Sequence, residues 1–433
     1  MEFVHEPPCK KQRRELGGDD DPRGEAETKT ETGMEELPRE IVLDILSRLP
    51  VTSLVRFRLV CQSWRALGGD PLLPDAQLAR TAAGDPFLVF HSDFPLRNQL
   101  SFVELSALGQ DSGHGRSKKG AAVGKFSPPF LSSMGEFDVV GSCNGLLCLA
   151  DSLFREPLFM YNPFTGDYRE LPRSRQYADQ TVVYGFGFHP ATQEYKVIKI
   201  ASYPNPSRAG AGAGARRARR VPQQSEVQVL TLGGSMAWRS LGRAPYQVDK
   251  RQSETLVEGR LHWVAGPRRY RTARQLVSFD LADEQFREVP KPEGGPILRS
   301  NYQLMALRGC LAAIVYCNYG KLEIWVMRTY NAKESWAREY VIGSYMPRSL
   351  KQQSASAMPF KMWKSSGANG RVSRVVCGLD SGEILLEYKS RALVAYDPRR
   401  CKFRDISLQG MPSYFHAFVH VGSLSWIDSQ PDT

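Results

Sequence analysis

Residues 36–71 read ELPREIVLDILSRLPVTSLVRFRLVCQSWRALGGDP, and this stretch decides the fold of the first domain. Its apolar residues recur at spacings of three and four, which is typical of short amphipathic helices. Pro38 suits the first turn of a helix, and Pro50 stops that helix. A second helix carries Leu54. A third is predicted to carry the apolar residues Phe57, Val60, Cys61, Trp64 and Leu67 before Gly68-Gly69 ends it.

The first predicted helix is apolar over a wider arc than one packing partner requires. The residues of that arc are Ile41, Val42, Ile45, Leu46 and Leu49. About forty residues cannot bury this many large side chains among themselves, and each one left in water forfeits roughly 1.5–3 kcal/mol. Periodicity leaves two interpretations open: a second polypeptide covers the face, or the helices pack on the domain that follows.

The order and spacing of several residues in this stretch resemble the F-box. The matching pattern is Leu37-Pro38, Ile45-Leu46, Arg48-Leu49-Pro50, Leu54, Arg58, Val60-Cys61 and Ser63-Trp64. Leu59 and Gln62 depart from the common plant form, where cysteine and lysine are frequent, but neither removes an apolar anchor. The resemblance implies binding to the Skp adaptor of Skp–cullin–F-box ubiquitin ligases. Carried over, the candidate adaptor contacts are Leu37, Pro38, Ile45, Leu46, Leu49, Pro50, Leu54, Val60 and Trp64.

From about residue 86 onward, short apolar segments alternate with Gly, Pro, Asn and Asp, which indicates strands and turns. A unit with a leading glycine recurs, and the lead positions are Gly145, Gly187, Gly259, Gly309 and Gly382. Without insertions at about 202–224 and 343–372, the period is about 40–50 residues, the length of a propeller blade. FLVFHS from Phe87 and FHAFVHVGSLSWI from Phe415 are predicted to complete a closing blade from both chain ends. We count six blades, with seven as an alternative; an irregular β-sandwich is the competing fold.

Particular residues of the β region have predicted structural roles. Asn162-Pro163 and Asp397-Pro398 are expected to set turns between outer strands, and Trp238 and Trp336 to fill spaces between blades. The motifs CNGLLCL, YNPFTGDYRELP, YGFGFHPATQEYKV, GRLHWV, VSFDL and LEIWVM occur in order. Together they resemble the kelch-like F-box-associated domain of plant F-box proteins over residues 137–340, and the resemblance fades beyond 340.

The predicted fold class is therefore α+β and multidomain, a small three-helix F-box followed by a mainly antiparallel, propeller-like β domain. The domain boundaries are a disordered tail at 1–34, the F-box at 35–75, a linker at 76–85 and the β domain at 86–430. No apolar run approaches the length of a membrane span, and the charged N-terminus does not resemble a secretory signal. Eight scattered cysteines do not suggest a disulfide scaffold.

The net charge of +11 is unevenly distributed. Residues 1–36 carry eleven acids and six bases, so the remainder has an excess of +16. A dense cluster of Arg216, Arg217, Arg219 and Arg220 follows a GAGAGA run without interleaved aromatic residues, so a solvated insertion is favoured over nucleic-acid binding. The segment Lys10-Lys11-Gln12-Arg13-Arg14 fits a nuclear-import signal, although short basic clusters also occur by chance.

The sequence contains no pattern that favours catalysis. It has no HExxH motif, zinc-type Cys-x-x-C pair, Walker loop or GxGxxG motif, so no metal and no cofactor is predicted. His416 and His420 share one face of a predicted strand, where packing or a surface pair is favoured over a metal site. Gly141-Ser142-Cys143-Asn144-Gly145 resembles a nucleophile elbow only superficially, because Cys143 adjoins an apolar strand.

The function implied is that of a non-catalytic substrate-recognition subunit of a Skp–cullin–F-box ubiquitin ligase. Its expected partners are the Skp-family adaptor, cullin through that adaptor, and an unidentified protein target, in the nucleus and/or cytoplasm. The alternative is a propeller module that binds proteins or glycans without a link to ubiquitin. A propeller enzyme is the third class, and no residue supports it.

Overall fold

The computed structural model describes residues 37–81, 86–108, 122–204, 223–234, 236–248, 255–266, 274–292, 302–317, 320–351 and 373–427. Several predicted features lie outside these residues. They are the tail at 1–34, the basic cluster at 10–14 and the arginine cluster at 216–220.

Four helices come first in the described part of the chain. Their bounds are α1 (Arg39–Ser47), α2 (Val51–Phe57), α3 (Gln62–Gly68) and α4 (Leu72–Thr81). The Pro38 carbonyl accepts hydrogen bonds from the N–H groups of Ile41 and Val42, at 3.0 and 3.2 Å, in the first turn of α1. Pro50 lies between α1 and α2, as the sequence predicts.

Two details of the helical region differ from the sequence prediction. Phe57 is the last residue of α2 rather than part of the third helix, and Val60 precedes α3. Cys61 is the N-cap of α3, where its Sγ accepts a hydrogen bond from the Trp64 N–H at 3.5 Å. In addition, α4 extends across the predicted boundary between the F-box and the linker. A periodic apolar pattern continues through both α2 and α3, so it could not locate the break between them.

Six four-stranded antiparallel sheets follow, and they form six blades. Blade 1 consists of β24 (His416–His420), β1 (Phe87–Ser92), β2 (Gln99–Glu104) and β3 (Gly124–Phe126). Blade 2 consists of β4 (Phe137–Cys143), β5 (Leu146–Asp151), β6 (Leu158–Tyr161) and β7 (Tyr168–Glu170). Blade 3 consists of β8 (Thr181–His189), β9 (Glu194–Pro204), β10 (Gln223–Thr231) and β11 (Arg239–Arg243).

The other three blades have the same strand order. Blade 4 consists of β12 (Leu256–Val257), β13 (Arg260–Ala265), β14 (Gln275–Asp280) and β15 (Phe286–Val289). Blade 5 consists of β16 (Tyr302–Leu307), β17 (Cys310–Tyr316), β18 (Leu322–Met327) and β19 (Trp336–Ile342), with the short α5 (Arg348–Lys351) after it. Blade 6 consists of β20 (Ser373–Gly378), β21 (Ile384–Tyr388), β22 (Ala392–Asp397) and β23 (Lys402–Ile406).

The predicted closure of the ring is confirmed. The C-terminal β24 pairs antiparallel with β1, with Phe87 opposite His420 and His91 opposite His416. β24 therefore takes the first position of blade 1, and it contacts both β20 of blade 6 and β4 of blade 2. Closure by the two chain ends covers strand edges that would otherwise be open to other chains.

The lead glycines fall mainly in the hairpins between the first and second strands. Gly145, Gly259 and Gly309 have φ of 85°, 69° and 78°, and each follows a residue that also has positive φ. Two-residue turns with this geometry match the twist of antiparallel strands and favour glycine. Gly187 is different, so its prediction as a lead residue is wrong. It lies inside β8, where an added Cβ would be 2.7 Å from the Cδ1 of Leu256 in blade 4.

The predicted roles of the turn residues and tryptophans are confirmed. Asn162 Oδ1 accepts hydrogen bonds from the next N–H groups in its turn, and Asp397 does so in the corresponding turn of blade 6. The indole N–H of Trp238 in blade 3 donates to the carbonyl of Pro172 after blade 2, at 2.7 Å. Trp336 in blade 5 donates in the same way to Pro290 after blade 4, at 2.8 Å.

Candidate partner-binding surfaces

Helix α1 has one buried and one exposed apolar side. Val42, Leu43 and Leu46 are buried. Ile41 and Ile45, which lie one turn apart, are 47% and 48% exposed. Burial of large apolar side chains is a main source of folding stability, so two adjacent exposed isoleucines indicate a surface available to a partner.

The connection between α2 and α3 adds further exposed apolar residues. Leu59 and Val60 are 75% and 62% exposed. The residues on either side hold this connection in place: Phe57 is buried, and its ring stacks on that of Trp64 with centroids 4.1 Å apart. The exposed pair is therefore presented by an ordered turn between two packed helices.

Arg58 fixes α3 against the end of α2. Its Nε donates a hydrogen bond to the Gly68 carbonyl at 2.7 Å. Gly68 is required for this approach, since an added Cβ would be 2.7 Å from the Cγ of Arg58. The Arg58 carbonyl in turn accepts a hydrogen bond from Arg65 Nε at 3.3 Å. These contacts explain why arginine and glycine occur at these two positions.

The other side of the helical region packs on the propeller. Val51 and Leu54 of α2 and Leu73 of α4 are all buried. An added Cβ on Gly422, just after β24, would be 2.5 Å from the Cγ1 of Val51, so the Val51 side chain packs directly against the Gly422 backbone. Gln77 Nε2 of α4 also donates to the Gly422 carbonyl at 3.5 Å. Part of the apolar surface is thus covered by the chain itself, as one of the two interpretations expected.

An exposed ionic group joins α1 to α4. The Asp44 carboxylate accepts a hydrogen bond from Arg48 at 2.8 Å and another from Arg80. These hydrogen bonds hold the pKa of Asp44 below its usual value, and the bond from Arg48 lowers it most. Exposed ion pairs of this kind contribute little to stability, so this group orients the helices more than it stabilises them.

Known families match both parts of the chain. A family model described as F-box-like matches residues 34–73, and one described as the F-box associated beta propeller domain matches residues 110–425. The chain belongs to the F-box proteins with an F-box-associated β-propeller. The second match corrects the expectation that the resemblance fades beyond residue 340, because β20–β24 belong to the same domain.

Individual F-box proteins of Arabidopsis thaliana are similar over most of their length. F-box protein At3g07870 is 50% identical over 408 residues, which cover 92% of this chain and 94% of that protein. F-box protein CPR1 is 27% identical over 420 residues, covering 90% of this chain and 89% of that protein. F-box/kelch-repeat protein At3g23880 is 27% identical over 319 residues, covering 70% and 78%.

The nine candidate adaptor contacts of the F-box fall into three classes of exposure. Leu37, Pro38, Ile45, Pro50 and Val60 are exposed, Leu49 and Trp64 are half-buried, and Leu46 and Leu54 are buried. A family motif therefore mixes residues that can touch a partner with residues that shape the helices. Ile41 and Leu59 are also exposed but were outside the candidate set. For Ile41, its position one turn before Ile45 was the available signal.

Burial shifts the pKa values of a cysteine and two histidines among the described residues of the propeller. Burial raises the pKa of Cys143 to about 12, which disfavours the nucleophilic thiolate. Burial lowers the pKa of His262 to about 4 and that of His420 to about 3, so both are neutral. Within the described ranges, no group of three or more His, Cys, Asp or Glu side chains could hold a metal ion. Nor does any described helix combine the length and apolarity needed to cross a membrane.

Proposed function

We propose that this F-box protein is the substrate-recognition subunit of a Skp–cullin–F-box ubiquitin ligase, with the F-box bound to a Skp-family adaptor and the propeller bound to a protein target. The observation that carries this proposal is the apolar surface of the F-box that stays exposed after α2 and α4 have packed on the propeller. The described residues of the chain leave Ile41, Ile45, Leu59 and Val60 uncovered, which favours a partner as the reason for their apolar character.

The proposed role is to bring two proteins together. A target held by the propeller meets the ubiquitin-charged enzyme of the complex at a high effective concentration, so no catalytic group is required of this chain. Cullin would be reached through the adaptor. The nucleus and the cytoplasm are the proposed compartments.

The exposure of individual residues decides which variants test adaptor binding. Leu46 and Leu54 are buried, so changing them would disturb the helices. A weaker affinity could then result from unfolding rather than from a lost contact with the adaptor. Leu37, Pro38 and Ile45 are exposed and belong to the F-box pattern. The triple change Leu37→Ala, Pro38→Ala and Ile45→Ala removes apolar contact area without opening a cavity in the core.

The test is the affinity of the purified full-length protein for a purified Skp-family adaptor, measured by calorimetry. We expect the triple variant to bind at least about tenfold more weakly, because each lost apolar contact is worth on the order of 1 kcal/mol. A matched control replaces two exposed apolar residues of the propeller, Leu153→Ser and Phe154→Ser, and should bind the adaptor normally. Equal affinity of the triple variant and the unchanged protein would contradict the proposed interface.

A further inference from the structure

The propeller has two ends, and the F-box occupies only one of them. Val51 of the F-box packs near Gly422 and Phe87, where β24 ends and β1 begins. Since neighbouring strands are antiparallel, the opposite end contains the connections from second to third strands and from one blade to the next. We call this opposite end the distal end.

Five large apolar side chains are exposed in distal connections of blades 1 and 2. They are Phe94, Leu96, Leu131, Leu153 and Phe154, which we call the distal apolar patch. Leu153 and Phe154 are 75% and 78% exposed, more than almost any other large apolar residue described. Monomeric proteins rarely leave neighbouring large apolar side chains in water unless they contact another molecule.

Hydrogen bonds and an ion pair hold the three connections together. The Glu136 carboxylate pairs with Arg97 at 3.3 Å, and the Glu136 carbonyl accepts a hydrogen bond from the Ser152 N–H at 3.0 Å. Asn98 Nδ2 donates to the Gly135 carbonyl at 3.0 Å, and Asn98 Oδ1 accepts from the Phe137 N–H at 3.1 Å. The three connections that contain Phe94, Leu131 and Leu153 therefore lie next to one another.

Local contacts also fix the backbone of the patch. Asp151 Oδ1 accepts hydrogen bonds from the N–H groups of Leu153 and Phe154, at 2.9 and 2.7 Å. Phe130, next to Leu131, is buried and stacks on Phe159 with centroids 4.8 Å apart. A surface ordered before binding loses less conformational entropy when a partner arrives.

Charges around the patch are predominantly basic. Arg97, Arg173, Arg175 and Lys389 are exposed in distal connections of blades 1, 2 and 6. Arg391 of blade 6 lies over the ring of Tyr414 at 4.7 Å, and Tyr414 meets Phe94 edge-on at 5.5 Å, which links this charge to the patch.

Three of the acidic side chains nearby are engaged with bases. Glu136 pairs with Arg97, and Asp138 accepts a hydrogen bond from Arg155 at 2.8 Å. Glu156 is only 10% exposed and faces the buried Lys199 at 3.7 Å. Among the described residues of these connections in blades 1, 2 and 6, Asp179 is the one exposed acid. Exposed basic side chains therefore outnumber exposed acids in these connections, which surround an apolar centre.

We propose that the distal apolar patch binds a peptide segment of the target in which large apolar residues are flanked by Asp or Glu. Apolar residues would cover Leu153, Phe154 and their neighbours, and the acids would face Lys389 and Arg391. A protein is favoured over single-stranded nucleic acid because three of the five patch residues are leucines, which offer no ring for base stacking. This proposal rests on the proposed function insofar as the bound segment belongs to a ubiquitination target.

The experiment uses the purified full-length protein and a fluorescent synthetic peptide in which Leu and Phe alternate with pairs of Asp or Glu. Fluorescence anisotropy should show saturable binding that weakens as salt is raised. The double variant Leu153→Ser, Phe154→Ser should bind at least about tenfold more weakly. Its thermal unfolding should be unchanged, since both side chains are exposed.

Two matched probes and one control variant make the result decisive. A peptide with Lys in place of the acids should not bind, and an oligothymidylate should not compete. Leu59→Ser with Val60→Ser, exposed apolar residues of the F-box, should bind the peptide normally. Any one of five results would overturn the proposal. The first three are no peptide binding by the unchanged protein, equal peptide binding by the double variant, and equal binding of the Lys peptide. The other two are competition by the oligonucleotide and self-association of the protein that the double variant abolishes.

Failure here can be told apart from failure of the proposed function. Adaptor affinity is measured on the same protein samples and depends on the other end of the molecule. Peptide binding without adaptor binding would support the distal site and refute the ligase role. Adaptor binding without peptide binding would support the ligase role and refute the distal site.

Discussion

At the scale of single residues, the buried ion pair of Glu387 and Arg374 in blade 6 stabilises the closure of the ring. The Glu387 carboxylate is 4% exposed and accepts hydrogen bonds from Arg374 at 2.9 Å and from the Ala417 N–H at 2.8 Å. Burial alone would raise its pKa, but Arg374 and the other donors lower it on balance. Because Arg374 also donates to the Ala417 carbonyl, the pair ties blade 6 to β24 and so to the closure of the ring.

We predict that Arg374→Met strongly destabilises the protein. The change leaves the buried Glu387 charge without its cation, which typically costs about 3–5 kcal/mol of unfolding free energy. Arg328→Met is the matched control, because Arg328 is 68% exposed in its pair with Glu339, and exposed pairs contribute about 0–1 kcal/mol. Denaturant unfolding measures both, and similar losses for the two variants would contradict this account of Glu387.

His420 is a second residue whose environment was not evident from the sequence. Its Nδ1 lies 2.9 Å from Ser142 Oγ of blade 2, and its ring stacks on Phe164 with centroids 6.0 Å apart. The sequence placed it with His416 on one strand face, but only the folded ring brings Ser142 and Phe164 to it. This burial lowers its pKa to about 3.

We predict that His420 makes stability fall with acidification. Its pKa in the folded state lies below the value of about 6.5 expected in the unfolded chain, so the unfolded chain takes up the proton first. The stabilisation is complete above about pH 6.5 and is lost as the pH falls toward 3. His420→Gln should give a shallower decline of unfolding free energy between pH 7 and pH 4, by on the order of 2 kcal/mol. His189→Gln is the control. The prediction would be contradicted if His420→Gln left the pH dependence of the unfolding free energy unchanged, or if His189→Gln made it shallower as well.

At the scale of elements, the hairpin between β4 and β5 connects the blades to the C-terminal segment. Gly145 has φ of 85°, and an added Cβ would be 2.3 Å from the Cβ of Ser423. Asn162 Nδ2 donates to the carbonyls of Ser423 and Ser425, at 2.9 and 3.0 Å. The segment after β24 therefore packs against two turns of blade 2, one of which leaves no room for a side chain.

We predict a graded effect of three glycine substitutions on thermal stability. Gly145→Ala combines backbone strain with a steric clash and should cost about 2 kcal/mol or more. Gly166→Ala, at φ of 84° but with no neighbour within 4 Å, should cost about 1 kcal/mol from strain alone. Gly135→Ala has neither problem and should be nearly neutral. Equal melting temperatures for the first two would show that the contact with Ser423 is unimportant.

Elements could be predicted where local sequence chemistry decides them. The turns at Asn162 and Asp397 and the contacts of Trp238 and Trp336 follow from residue type and position. The break between α2 and α3 could not, because the apolar periodicity continues through both helices. The role of Gly187 could not, because it depends on packing with Leu256, which is distant in the sequence. Helix α4 extends into the predicted linker at 76–85; its sequence LLPDAQLART has a weak apolar pattern and contains a proline, so periodicity alone does not define it.

At the scale of the whole molecule, we propose separate binding roles for the two ends of the propeller. One end carries the F-box helices, which cover part of their own apolar surface and leave Ile45, Leu59 and Val60 exposed. The other end carries the distal apolar patch. The sequence motifs predicted the first surface but not the second, because the patch assembles from connections far apart in the chain.

Hydrogen–deuterium exchange of the full-length protein, with and without a purified Skp-family adaptor, tests the central claim most directly. The account predicts slower exchange on adaptor binding in residues 39–60, which include α1, α2 and the exposed pair Leu59-Val60. Exchange at 152–157 in the distal end should be unchanged. Protection confined to the propeller, or no protection at residues 39–60 at saturating adaptor, would contradict it.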